Sequence, residues 1–137
     1  MSDCVFCEIV AGRAPSRRVL ADEHTLAFLN IRPAAPGHTL VVPRRHVRDM
    51  WDISEVEHGH VASMVRRAAL LLKQAFEPDG VNVRVNSGAA AGQDVFHFHT
   101  HLIPRRHGDE LQLTWASPHA DPAELERAML RIAEVRV

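Results

Sequence analysis

The chain has 137 residues and a mass of 15.3 kDa, the size of one domain that can bury a core without disulfides. Hydrophobic residues at 46% and charged residues at 24% exclude a disordered or fibrous chain, and the apolar runs are too short to span a bilayer. Sixteen basic against seventeen acidic residues give a net charge of -1, which argues against a general nucleic-acid binder. The pairs Arg17-Arg18, Arg44-Arg45, Arg66-Arg67 and Arg105-Arg106 read as solvated surface.

Met1 to Cys4 has neither a basic stretch nor an apolar one, so no secretion signal is read and a cytoplasmic location is expected. Both cysteines fall in Cys4-Val5-Phe6-Cys7, a spacing that favours metal or redox chemistry. Glu8 to Ala11 continues a short helical turn closed by Gly12 and Pro15. Arg17 to Ala21 and Thr25 to Leu29 read as strands around the turn Asp22-Glu23-His24. Pro33 to Gly37 is a loop, and His38 to Val42 is a strand ended by Pro43. Ser54 to Phe76 is a long helix with a Ser54/Glu57 capping box and an apolar stripe of Val61, Met64, Val65, Ala68, Leu71, Leu72 and Ala75. Glu77 to Gly80 stops it. Val81 to Asn86 alternates as a half-buried strand, Ser87 to Gly92 is a small-residue loop, and Val95 to Ile103 is a strand ending at Pro104. A last helix starts at Asp121 and runs to about residue 137. The order predicts an α+β fold with an antiparallel sheet.

Of ten histidines, three alternate in His97-Phe98-His99-Thr100-His101. On a strand they share one face, while Phe98, Thr100 and Leu102 pack the other way against a helix. The rise of ~3.3 Å per residue spaces neighbouring imidazoles by roughly 6–7 Å and the outer pair by roughly 13 Å. Three such rings cannot all ligate one metal with bonds of about 2 Å, but they can line a groove along an extended polyanion. Upstream, Asn86 to Asp94 carries two glycines and small residues, a loop whose N–H groups can cradle phosphate.

Together, His97-x-His99-x-His101-Leu-Ile-Pro-Arg105, Gly92-Gln93, Asn86 and Ala35-Pro36-Gly37-His38 resemble the histidine triad (HIT) family of nucleotide hydrolases and transferases. Cys4-x-x-Cys7-Glu8-Ile9 and Phe28-Leu29-Asn30-Ile31 are similar to the small bacterial branch related to the Hint proteins. The resemblance runs from Cys4 to about Trp115 and implies a single HIT domain with a C-terminal helical extension. It also implies a five-stranded antiparallel sheet with two helices, and a homodimer joined across the long helix and a neighbouring strand.

The family implies roles residue by residue. His99 is the nucleophile, forming a covalent nucleotidyl-histidine. A neutral imidazole suits this near pH 7, and covalent catalysis divides one displacement into two. His101 supplies electrostatic stabilisation and proton donation, and His38 orients the array. Val5, Phe6, Ile9, Phe28 and Ile31 form the base pocket, and Asn30 meets the ribose. Asn86, Gly92, Gln93 and Asp94 lie along the phosphates. Asn30 stands where relatives usually carry aspartate, and Asp94 where many carry a hydroxyl. Arg105 and Arg106, turned to the same groove, would offset the Asp94 charge. Relatives with the Cys pair complete a structural zinc site with residues matching His46 and His97, beside Cys4 and Cys7; no catalytic cofactor is implied.

The resulting expectation is a phosphoramidase or nucleotidyl hydrolase acting on a purine nucleotide and releasing a nucleoside monophosphate, AMP foremost, with no nucleic-acid or membrane partner. The alternatives are a dinucleoside polyphosphate hydrolase and a regulatory nucleotide binder with weak turnover. A metal-dependent hydrolase is disfavoured because no Asp or Glu lies between His97 and His101.

Overall fold

The computed structural model describes residues 3–113 and 117–135. Trp115 and the end of the expected C-terminal extension, residues 136–137, lie outside them. In chain order come α1 (Val5–Val10), β1 (Arg18–Ala21), β2 (Thr25–Leu29), β3 (Thr39–Pro43), α2 (Glu55–Phe76), β4 (Gly80–Val85), a 3-10 turn at Ala89–Ala91, β5 (Thr100–Arg105) and α3 (Pro122–Ala133). The five strands form one sheet in the order β1-β2-β3-β5-β4, every neighbouring pair antiparallel.

Strand alternation divides the core in two. Ala27, Val41, Phe98 and Leu102 pack against Val61, Met64, Ala68 and Leu72 of α2. Leu26, Phe28, Leu40 and Val42 pack on the opposite face against Phe6 and Ile9 of α1. β3 is buried along its whole length because it is covered on both faces, as its run of β-formers suggests. The turn before β2 is held by Asp22, whose Oδ1 accepts from the His24 and Thr25 N–H groups at 2.9 and 2.7 Å, a local bond typical of aspartate in turns. Ser54 caps α2, its Oγ accepting from the Glu57 N–H at 3.1 Å. At the other end Glu77 takes a left-handed conformation with φ 47°, and Pro78 prevents further helix.

The expected helical segment at Glu8 continues a helix that begins at Val5, where the Cys4 Sγ accepts from the Cys7 N–H at 3.4 Å and caps it. Three expectations are corrected. The buried stripe of α2 is narrower than expected: Leu71 is 38% exposed and Ala75 is exposed, since the sheet covers only part of the helix. β4 is an edge strand rather than half-buried: Val81 and Val83 are 41% and 54% exposed. β5 starts at Thr100, not Val95, and runs through Pro104 to Arg105. The preceding residues bond to the loop after β3 instead of to the sheet, with the Phe98 N–H donating to the Val47 carbonyl at 2.7 Å. Pro104 is tolerated because pairing with β3 covers only Thr100 to Leu102, so no β3 partner is left without a donor. α3 starts at its expected cap, the Asp121 Oδ1 accepting from the Ala123 N–H at 2.9 Å, and ends at Ala133.

Candidate functional site

The first triad histidine belongs to a different cluster from the other two. Cys4 and Cys7 bracket the start of α1, His46 follows β3, and His97 precedes β5. One ligand atom from each lies within 4.8 Å of all the others. The Cys4 Sγ and Cys7 Sγ both stand 3.5 Å from the His97 Nδ1; the Cys7 Sγ is 3.3 Å from the His46 Nδ1, and the two Nδ1 atoms are 3.3 Å apart. Tetrahedral zinc with the usual bond lengths separates two nitrogens by about 3.3 Å and a nitrogen from a sulfur by about 3.6 Å, so this donor set matches a zinc tetrahedron in chemistry and in size. The His97 Nε2–H donates to the Pro43 carbonyl at 2.8 Å, which fixes the tautomer and turns the Nδ1 lone pair to the cluster. Burial pushes the His97 pKa down to about 4, opposed by that carbonyl and aided by the neighbouring His46 and His99. A neutral ring is the form a metal binds.

His99 carries the opposite tautomer. Its Nδ1–H donates to the His97 carbonyl at 2.8 Å, so the Nε2 is the nitrogen left for the cavity side, 3.5 Å from the Asp94 Oδ1. Phe6 packs edge-on against the ring with centroids 5.1 Å apart. His101 is its other neighbour at 5.0 Å, nearer than the pleat spacing expected from the sequence because the two rings meet edge-to-face, 66° apart.

A chain of hydrogen bonds fixes His101 as well. The Ala34 N–H donates to the His38 Nδ1 at 2.9 Å. The proton of His38 is therefore on Nε2, which donates to the His101 Nδ1 at 2.9 Å, and the His101 proton is on its Nε2. Burial lowers the His38 pKa. Burial first, then the neighbouring His99 and His38, brings His101 down to about 4. With its pKa held down, the His101 ring presents its Nε2–H as a hydrogen-bond donor. Gly37 makes this relay possible. Its φ is +87°, and a Cβ there would lie 2.8 Å from the Phe76 ring at the end of α2, so both the conformation and the close approach exclude a side chain.

His99 and His101 open into a cavity of about 610 Å³ between the sheet and α1. Of the expected nucleotide-binding residues, Val5, Phe6, Ile9, Phe28, Asn30, Ile31 and Asp94 line it. Ile31 is 80% exposed and forms its rim. The Asn30 Oδ1 accepts from the Arg32 N–H at 2.9 Å, placing the Asn30 amide nitrogen on the side of His38, 3.5 Å from the Nε2. Arg17, Arg32, Leu40 and Val95 line the cavity too and were not singled out from sequence. Arg17 sits in a basic pair that gave no signal apart from surface charge; Val95, beside Asp94, was signalled by its place two residues before His97.

Asn86, Gly92 and Gln93 do not line the cavity. The Gln93 amide is fully used inside the loop: its Oε1 accepts from the Gly88 N–H at 2.8 Å, and its Nε2 donates to the Arg48 carbonyl at 2.7 Å and the Val95 carbonyl at 3.1 Å. The Gly92 N–H closes the turn on the Ala89 carbonyl, and the Gln93 N–H bonds the Gly88 carbonyl. These residues shape the loop that presents Asp94. Asp94 is itself held, its Oδ1 accepting from the Val95 N–H at 2.9 Å and standing 3.5 Å from the His99 Nε2. Arg105 does not offset it. That guanidinium bonds Asp109 at 2.8 and 2.6 Å and Asn82 at 2.7 Å, and Arg106 donates to the carbonyls of Phe76 and Glu77.

The arrangement offers one imidazole nitrogen beside Asp94, a second imidazole held by a hydrogen-bond relay and a pocket with aromatic walls. Known proteins resemble the chain that builds it. The HIT domain family model matches residues 11–108. Protein hit from Bacillus subtilis is 40% identical over 136 residues, covering 96% of this chain and 93% of that protein. The crystal structure of SMU.412c from Streptococcus mutans superposes with a TM-score of 0.93 at 39% identity, covering 98% of this chain and 85% of the other. A Zn-bound histidine triad family protein from Mycobacterium smegmatis has a TM-score of 0.78 at 39% identity over 96% of each chain. With the family model matching residues 11–108 and nearly the whole fold in common with solved members, the chain belongs to the HIT family.

Proposed function

We propose that this protein is a nucleotide phosphoramidase that works through a covalent nucleotidyl-His99 and releases a nucleoside monophosphate, AMP foremost. The observation that carries the reading is the orientation of His99: its Nδ1 is engaged by the His97 carbonyl, which leaves the Nε2 on the side of the cavity and of Asp94, beside His101. In the first step the Nε2 forms a bond to the α-phosphorus while the P–N bond breaks. The amine departs with that electron pair and takes a proton from water. In the second step water attacks phosphorus, the P–Nε2 bond breaks, and one water proton passes to solvent, which returns His99 to its starting tautomer. The His101 Nε2–H bonds a phosphoryl oxygen as charge builds on it, a positioned dipole that needs no change of protonation. Phe6, Ile9 and Phe28 provide apolar walls for a purine, with Val5 and Ile31 at the mouth, and Asn30 faces the sugar. Asn86, Gly92 and Gln93 set the loop that follows the phosphates.

Cys4, Cys7, His46 and His97 hold zinc in this reading, as a structural ion that ties α1 to the loop after β3. The thiolate pair suits a reducing compartment, the cytoplasm. Leu70, Val81 and Val83 on α2 and β4 are exposed, and these apolar side chains form the face through which two copies join as a dimer.

The engagement of Arg105 and Arg106 elsewhere supports an amine leaving group over a second nucleotide, because neither arginine is free to offset a polyphosphate near Asp94. The test is kcat/KM for adenosine 5′-phosphoramidate beside diadenosine tetraphosphate. The phosphoramidate is expected to be the better substrate, and a preference of about tenfold or more for the tetraphosphate would overturn the choice.

A further inference from the structure

We infer that Asp94 selects substrates whose leaving amine carries a second, positive charge. The inference rests on the phosphoramidase reading of the same cavity. Among the described residues Asp94 is the one carboxylate lining that cavity, whose other charged residues are Arg17 and Arg32. Its side chain is 79% exposed while His99 beside it is 2% exposed, so the carboxylate stands at the open mouth and the nucleophile at the floor. The Val95 N–H fixes its Oδ1, and the Gln93 amide fixes the loop behind it. The 3.5 Å contact with the His99 Nε2 puts a fixed negative charge beside the place a phosphoryl group must reach.

Such a group works against every anionic substrate unless the substrate brings a cation to it. Among the described residues no arginine or lysine stands within ion-pair distance of Asp94, whose one such contact is His99; Arg17 and Arg32 line the cavity without pairing with it. Arg105 is held by Asp109 and Asn82, and Arg106 by the end of α2. Arg84, opposite His101 in the β4–β5 register, is not among the lining residues. The base end of the pocket is apolar, so the charge preference falls on the leaving group rather than on the nucleoside. An alkylamine ending in an ammonium group satisfies this geometry: its far end pairs with Asp94 while its near nitrogen stays bonded to phosphorus. An amine ending in a carboxylate places like charges together at the mouth. A partly exposed site screens this preference without abolishing it.

The experiment compares adenosine 5′-phosphoramidates of three linear amines of equal length, ending in an ammonium, a methyl or a carboxylate group. Wild type is expected to rank them in that order in kcat/KM, with about tenfold or more between the first and the last. The ratio should shrink as salt is raised. In Asp94→Asn, and in Asp94→Ser as a second variant, it should fall to within about twofold, mainly because the carboxylate substrate improves. A wild-type ratio already within about twofold, or one that persists in both variants, would overturn the role of Asp94 and leave the phosphoramidase reading standing. Hydrolysis of none of the three by wild type would overturn that reading, and this assignment with it.

Discussion

His97 and His99 stand two residues apart, both buried, yet they present opposite nitrogens. His97 gives its Nε2–H to the Pro43 carbonyl and turns its Nδ1 to two sulfurs. His99 gives its Nδ1–H to the His97 carbonyl and keeps its Nε2 for the cavity. In the proposed reading, the same side chain serves as a metal ligand or a nucleophile according to which nitrogen a backbone carbonyl engages. The two clusters therefore share a segment of chain without sharing chemistry.

Mutations can pull these two roles apart. The largest effect is expected for His99→Ala, which should lower kcat by about four orders of magnitude or more while nucleotide affinity, read by calorimetry, stays near wild type. Nearly unchanged turnover would remove His99 from the nucleophile's place. Next is Cys4→Ser, on the other side of the comparison. Purified wild type should carry about one zinc per chain by elemental analysis, and the variant should lose it, with Tm lower by on the order of 10 °C and kcat changed less. Metal-free wild type prepared without chelator would refute the zinc site. His38→Ala breaks the relay from Ala34 to His101 and should cost kcat roughly 100-fold with KM little changed, and His38→Gln, which keeps an N–H donor, should recover part of it. A rise confined to KM would assign His38 to binding.

The smallest effect is in pH. Burial holds His101 at about 4 against an ordinary 6.5. As pH falls from about 6.5 toward 4, the unfolded chain takes up protons that the folded chain refuses, so stability is full above that window, falls within it and levels off below it. Urea midpoints at several pH values should trace this loss, and His101→Gln should flatten it; equal slopes in the two proteins would show that His101 does not contribute.

Those elements whose signal is periodic were legible in the sequence. α2 was visible from its capping box and stripe, and the two-faced placement of His99 and Phe98 followed from alternation alone. What escaped has a common cause: the partners are backbone groups or distant segments. Nothing in the residue types shows that Pro43 offers its carbonyl to His97, that the Ala34 N–H sets the protons of His38 and His101, or that the Val47 carbonyl draws Phe98 out of the sheet. Val81 and Val83 look half-buried by pattern because alternation records a face and not whether anything covers it. Arg105 looked available to the phosphate groove, but its guanidinium geometry suits Asp109 and Asn82, close to it in the fold.

The metal cluster joins points of the chain that are made at very different times. Cys7 and His46 are 39 residues apart, and His46 and His97 a further 51. α1, with six residues, is too short to persist as an isolated helix. During synthesis at roughly 5–20 residues per second, the two thiols therefore wait on the order of 10 s for their last ligand. If the cluster holds zinc as proposed, loading can be completed only after His97 is made, and the cavity wall that Phe6 provides is fixed by the metal only then.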